Sequence, residues 1–322
     1  MHATPSKHVR LAFDTVARFC LVLTARTRFV LIETNRRSFS GLTSTVGSMI
    51  STVFRLRFSQ RAMRFSKHQF ELIAYRGGAG ERPENTISAF RNAVKSNGDV
   101  ILDLDVQFTA DEQVVVIHDE TLERTTNGTG KICDHLFEEI QDLDAGYNFS
   151  VDGKSFPFRG DSDAKVVGLD DILSSFPAQR MLIDIRRFDH KFVARVVETV
   201  RKHNAGNRCV IMSESNRTIR FARALDRSLL FAASAFEVRL IFFGMKLGVS
   251  RLLPSKSRYF MIPEEHNSMR ILSPRFQKEL HRRQKTVFVW TVDDLTEARR
   301  LRDLGVDGIF TNFPDRIQQS AD

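Results

Sequence analysis

From residue 70 onward the chain repeats one pattern: a short apolar run, then a longer stretch with apolar residues at helical spacing. Phe70-Glu71-Leu72-Ile73-Ala74-Tyr75 is the first run, and Val100 to Asp105 the second. Such runs, bounded by turn residues, read as buried strands. Between them Ile87, Phe90 and Val94 form an apolar stripe on a helix, which Asn85 is expected to cap and Gly98 to end. Further strands are predicted at Met181–Ile185, Cys209–Met212, Leu229–Ala233, Tyr259–Ile262, Val287–Thr291 and Gly308–Thr311. Helices are predicted near Leu169–Phe176 and at Lys191–His203, Thr218–Leu225, Pro274–Arg283 and Leu295–Leu304. Eight strand–helix units in about 250 residues predict an α/β chain folded as a (β/α)8 TIM barrel. Active sites in that fold sit at the C-terminal ends of the strands. Tyr75, Asp103, Asp105, Asp184 and Trp290 occupy such ends.

One stretch breaks the alternation. Leu102 to Val106 and Val114 to Asp119 flank a short polar turn, too short for a parallel crossover. The pattern predicts a β-hairpin rising from the second strand. With the turn centred between Asp111 and Glu112, Asp105 would face His118 and Asp103 would face Glu120. Asp103 and Asp105 share one face because successive side chains alternate. Two carboxylates and an imidazole on one face suit a divalent metal with an acid–base group beside it. A solvated polar face is the plain alternative at this point.

Composition and charge divide the chain at residue 70. The formal net charge is +9, yet residues 1–70 hold 12 Lys and Arg against 2 acids, and the remainder 36 against 37. The expected organisation is a basic, Ser/Thr-rich extension over 1–69 and a catalytic barrel over 70–322. A near-neutral body without a basic face argues against nucleic-acid binding. The Arg-rich, acid-poor extension reads as an organellar transit peptide, a membrane-surface anchor or an unstructured arm. Its Ser38–Phe54 stretch is uncharged but too rich in Ser, Thr and Gly for a membrane span. Residues 236–253 are strongly apolar with Arg239, Lys246 and Arg251 interspersed. They are expected either to pack as a barrel helix or to meet lipid near the mouth. Location is therefore open between cytoplasmic, peripheral-membrane and organellar. Cys20, Cys133 and Cys209 have neither metal-ligand nor disulfide spacing.

These residues together resemble the glycerophosphodiester phosphodiesterase family across about residues 70–317. Arg76-Gly77, Pro83-Glu84-Asn85-Thr86, His118-Asp119, Thr121 to Gly128, Val289-Trp290-Thr291-Val292 and Leu304 to Ile309 carry the resemblance. It implies a metal-dependent phosphoric diester hydrolase that cleaves glycerophosphodiesters or lysophospholipids to an alcohol and a glycerol phosphate. It implies that Asp103, Asp105 and Asp184 hold Ca²⁺ or Mg²⁺. Arg76 and Arg186 would then clamp the phosphate, with Glu84 beside them, Trp290 against the glycerol or alkyl part, and His118 as the acid–base residue. A cyclising lyase would use the same residues. The chain departs from the family pattern at four positions. It has Tyr75 where the family has a second His, Asp103 and Asp184 where it has Glu, and Arg186 where it has Lys. The acids keep their charge with a shorter reach, and Arg grips phosphate bidentately where Lys is a point charge. A phenol, with an ordinary pKa of about 10, is a poor base. Losing an acid–base group costs roughly 10²–10⁴ in rate. The competing functional reading is therefore an impaired relative that binds phospholipid headgroups or a protein partner.

Overall fold

Eight parallel strands form the barrel: β1 (Glu71–Ala74), β2 (Ile101–Phe108), β3 (Met181–Ile185), β4 (Cys209–Met212), β5 (Leu230–Phe231), β6 (Tyr259–Pro263), β7 (Thr286–Trp290) and β8 (Gly308–Thr311). The computed structural model describes residues 70–318, so the readings of the extension over 1–69 lie outside the described residues. The strands are hydrogen-bonded in the order β5-β4-β3-β2-β1-β8-β7-β6. A parallel bridge between Ala232, just past β5, and Tyr259 of β6 joins the two ends. A barrel helix follows each strand, with one further short helix, Phe137–Ile140, in the excursion after β2: α1 (Ile87–Ser96), α2 (Leu169–Ser175), α3 (His190–Lys202), α4 (Asn216–Leu225), α5 (Ala235–Lys246), α6 (Pro274–Arg282), α7 (Leu295–Asp303) and α8 (Pro314–Gln318).

The helices start where side-chain oxygens replace missing backbone partners. Asp189, Ser215, Ser234, Ser273 and Asp294 each accept a first-turn N–H. The cap of α1 is Thr86, which accepts from Ala89 N–H; the expected cap, Asn85, turns its side chain elsewhere. The apolar 236–253 stretch packs as a barrel helix. Leu240, Ile241, Phe242 and Met245 are buried in the main core, and Leu247 and Leu252 are exposed. The buried apolar face of this stretch is spent on the barrel. Among the described residues no helix is long and apolar enough to cross a membrane.

The barrel interior is plugged by one residue from each strand position: Ile73, Ile101, Leu182, Val210, Ala232, Tyr259, Phe288 and Phe310. Their neighbours in sequence point outward onto the helices and build the larger core. Two residues further along, the inward phase meets the open end. There it presents Tyr75, Asp103, Asp184 and Trp290, as alternation requires.

The excursion after β2 is a hairpin, but in a different register from the expected one. The return strand Val114–Val116 pairs antiparallel with β2 as Phe108↔Val114, Gln107↔Val115 and Val106↔Val116. Ile117 N–H donates to Asp105 O, so Ile117 and not His118 lies beside Asp105. The turn has three residues, Ala110 to Glu112, closed by Thr109 N–H to Gln113 O at 3.1 Å. Glu112 takes a left-handed backbone (φ 61°), and Thr109 Oγ1 accepts from Gln113 N–H at 2.9 Å. An odd-numbered turn centres the hairpin on a residue and not between two, which shifts every facing pair by one. The chain leaves the ladder after Ile117 and carries His118 on irregular backbone. A small second core of Val115, Ile117, Leu122, Ile132 and Ile140 supports it.

Candidate active site

β2 and β3 bring the acids together. Asp105 and Asp184 are directly registered neighbours across the two strands, and Asp103 lies one inward step before Asp105. All three are buried, at 2%, 4% and 7% exposure for Asp103, Asp105 and Asp184. Such burial disfavours charge, and each carboxylate raises the cost for its neighbours. Burial, then Asp105 and Asp184, hold the Asp103 carboxyl well above its ordinary range. Burial, then Asp105, push Asp184 up to about 7 against the pull of Arg186.

The turn after β1 supplies the opposing charge. Arg76 sits in a left-handed conformation (φ 51°), and its N–H donates to Asp103 Oδ2 at 3.2 Å. Gly77 (φ 87°) must be glycine, because a Cβ there would stand 2.8 Å from Ala89 Cβ. The Arg76 guanidinium donates from Nη1 to Glu84 Oε1 at 2.9 Å and from Nη2 to Tyr75 Oη at 2.7 Å. Its Nε lies 3.3 Å from Asp105 Oδ2, close enough to attract but without hydrogen-bond alignment. Asn85 Nδ2 donates to Asp105 Oδ2 at 3.1 Å, and Asp105 N–H returns the bond to Asn85 Oδ1 at 3.2 Å. From β3, Arg186 Nη1 donates to Asp184 Oδ2 at 2.8 Å. Tyr75 is raised above its ordinary value by burial, against the pull of Arg76 and with the push of Asp103 and Asp105. Its phenol is therefore protonated at neutral pH and accepts from Arg76 while keeping its own proton to give.

His118 joins this group through a chain of ion pairs. Its Nδ1 is 2.5 Å from Asp119 Oδ1. Asp119 is bound by Arg124, Arg124 by Glu84, and Glu84 by Arg76. Arg124 and His118 hold Asp119 down at about 2 despite partial burial. Burial opposes ionisation of Glu84, and Arg124 and Arg76 overcome it. Trp290 stands at the end of β7, two residues beyond the interior Phe288, and is 40% exposed.

The sequence-predicted residues thus fall into a contacting cluster (Tyr75, Arg76, Glu84, Asp103, Asp105, Asp184, Arg186), a linked imidazole and an indole at the mouth. Asn85, expected only as a helix cap, and Asp119 and Arg124, to which sequence reasoning gave no role, belong with them. Their motif positions beside Glu84 and His118 were the available signal. Glu214, exposed just past β4, also bears on Asp184 and Arg186 by charge.

The fit of a metal follows from the donors. Among the described residues no three His, Cys, Asp or Glu side chains stand at metal-ligand geometry. Asp105 is engaged by Arg76 and Asn85, and Asp184 by Arg186. Yet Asp103 Oδ1 is buried with no hydrogen-bond partner. The cluster also sets five carboxylates (Glu84, Asp103, Asp105, Asp119, Asp184) against three guanidiniums (Arg76, Arg124, Arg186). With all five ionised the formal excess is two negative charges, the cost of which appears as the raised Asp103 and Asp184, and that deficit and an unpartnered oxygen suit a hard divalent cation, which prefers oxygen donors.

Closely spaced acids and arginines at the C-terminal mouth of a (β/α)8 barrel define an enzyme built to handle anionic, phosphate-bearing substrates. The chain belongs to the glycerophosphoryl diester phosphodiesterase family, whose model matches residues 76–316. It is 29% identical over 248 residues to a glycerophosphodiester phosphodiesterase of Caldanaerobacter subterraneus subsp. tengcongensis, covering 76% of this chain and 95% of that one. It is 28% identical over 311 residues to a lysophospholipase D of Homo sapiens, covering 86% and 95%. The fold is shared with a phosphodiesterase of Oleispira antarctica in complex with the product sn-glycerol-3-phosphate, at a TM-score of 0.63 and 21% identity, covering 78% and 96%.

Proposed function

We propose that the chain hydrolyses glycerophosphodiesters, lysophospholipids among them, to an alcohol and a glycerol phosphate, with Mg²⁺ or Ca²⁺ held by Asp103, Asp105 and Asp184. The observation that carries this reading is the crowded, undercompensated acid cluster flanked by Arg76 and Arg186. When bound, the cation would neutralise charge on a phosphate oxygen. Arg76 and Arg186 trade their carboxylate contacts for the phosphate and orient it. His118, with Nδ1 turned to Asp119, presents Nε2 to take the proton of the attacking water. Tyr75 gives its phenolic proton to the leaving alkoxide as the phosphorus–oxygen bond breaks. Trp290 covers the glycerol or alkyl part. The lysophospholipase D name of the human relative and the glycerol phosphate in the Oleispira structure support the two halves of the substrate class.

The test is release of alcohol from glycerophosphocholine, glycerophosphoethanolamine and lysophosphatidylcholine by the full chain with Mg²⁺ or Ca²⁺. Chelation should abolish it, and His118→Ala should lower it by roughly 10²–10⁴. Oxygen from labelled water should enter the glycerol phosphate. No turnover above the His118→Ala control on any of the three would overturn the assignment. One observation favours a second reading, headgroup binding with little turnover: a phenol stands beside Arg76 where the family has an imidazole.

A further inference from the structure

Arg124 is the most heavily engaged side chain at the barrel mouth, and neither phosphate clamping nor proton transfer uses it. Its Nη1 and Nη2 donate to the two oxygens of Glu84 at 2.8 and 2.7 Å. Its Nε and Nη2 donate to the two oxygens of Asp119 at 2.6 and 3.1 Å. One planar fork therefore grips two carboxylates along two of its edges. Each carboxylate holds a reactive-site residue in turn: Glu84 holds Arg76, and Asp119 holds His118. The Arg124 backbone is itself tied down, because Asn148 Nδ2 donates to the carbonyls of Glu123, Arg124 and Thr126 at 3.0, 3.2 and 3.2 Å.

We infer that Arg124 is a positioning residue that couples the phosphate clamp to the proton-transfer group, through Glu84 on one side and Asp119 on the other. The inference rests on the roles proposed above for Arg76 and His118. Three facts favour it over a surface ion pair. First, an exposed single pair adds little stability, since two mobile side chains lose freedom to form it. Here both pairs are bidentate, and bidentate geometry fixes direction as well as distance. Second, an ionised Asp119 can only accept, so a neutral His118 must carry its proton on Nδ1 and leave Nε2 as the acceptor. Third, the Arg76 turn and the His118 loop belong to different parts of the chain, 40 residues apart between Glu84 and Arg124. The His118 backbone is tied to β2, where Gln107 Nε2 donates to His118 O at 2.9 Å, and the Arg124 bridge adds the side-chain link that sets the direction of the imidazole against Arg76. Lysine could keep the charge but not the fork.

The inference gives each arm its own signature. Asp119→Asn should lower kcat and leave KM nearly unchanged. Glu84→Gln should raise KM and leave kcat nearly unchanged. Arg124→Ala should do both, with kcat down roughly 10–100-fold, the usual effect of removing an orienting partner. Arg124→Lys should restore less than a tenth of the loss, and added guanidinium should partly restore Arg124→Ala. Nitrogen-15 spectra of the imidazoles, with His118→Ala to assign the signal, should show the Nδ1–H form in the natural chain. They should show a mixture with the Nε2–H form in Arg124→Ala. An unchanged His118 tautomer together with kcat within about twofold of the natural chain would overturn the inference. If Arg124→Ala does not fold, Arg124→Lys carries both readouts. If the natural chain turns over no diester, the proposed function fails, and the tautomer comparison still decides whether Arg124 positions His118.

Discussion

The inner face of β2 and β3 and the loop bridge around Arg124 handle charge in opposite ways. Asp103, Asp105 and Asp184 are strand residues, buried, crowded and short of cations, with one Asp103 oxygen unpartnered. Glu84, Asp119 and Arg124 are loop residues whose carboxylate oxygens are matched to guanidinium hydrogens. Strands locked by ladders on both sides can hold like charges together, because the backbone has nowhere to relax. Loops cannot, and keep their place by satisfying their charges. The deficit therefore sits where the scaffold is stiffest, which is where a ligand can collect the unspent interaction.

The largest expected effect breaks the deficit itself. Asp103→Asn should lower kcat by about 10³, the order expected when several kcal/mol of transition-state stabilisation are lost. In chelator the same variant should melt higher than the natural chain at neutral pH, because the buried cluster no longer has to hold this carboxyl protonated against its ordinary range. Loss of activity with no gain in melting temperature would show that the acids do not repel one another. Next, Tyr75→His places an imidazole where the phenol is proposed to give its proton, and kcat should stay unchanged or fall up to roughly 10²-fold, read as initial rates at saturating glycerophosphocholine. A rise of that size would favour headgroup binding with little turnover in the natural chain. Third, Mg²⁺ or Ca²⁺ at about a hundred times its dissociation constant should stabilise the natural chain by about 2.7 kcal/mol. That is a melting shift of roughly 5–10 °C for a domain this size, and Asp103→Asn should abolish it. Loop variants such as Arg124→Lys should keep the shift, which sharpens the contrast between the two regions.

The smallest effect tests a carboxyl outside both regions. Glu81, on the turn after Arg76, is raised to about 7 by burial and by Asp315 at the start of α8. A carboxyl raised in the folded state contributes stability that is full below its ordinary pKa and is lost as pH rises through the folded value. Melting temperature should thus fall between about pH 5 and 8, and fall less in Glu81→Gln. Parallel curves for the two proteins would remove Glu81 as the cause.

Much of the stiff region was legible in the sequence. All eight barrel strands were marked by apolar runs, and the alternation that places Ile101, Asp103 and Asp105 on one face needs no tertiary knowledge. Asp184 followed from the same phase on β3. The loop region was not legible in this way. Asn85 reads equally well as a cap or as a partner for Asp105, and only the positive φ it adopts at 60° decides. The facing pairs of the hairpin depend on Glu112 being left-handed, which no residue letter announces, since glutamate rarely takes that conformation. Arg124 meets Glu84 through the fold and not through any local spacing.

The three-residue turn at Ala110 to Glu112 has one more consequence. Side chains on the return strand alternate, so the turn acts as a counter that reads only odd or even. An indel of one residue would exchange the faces of Val114–Val116, now divided between the main core and the small core around Ile117, and change the arc on which His118 arrives. An indel of two would restore both. Length variation in this turn among descendants of the chain should therefore come in steps of two, or be accompanied by a bulge that restores the count.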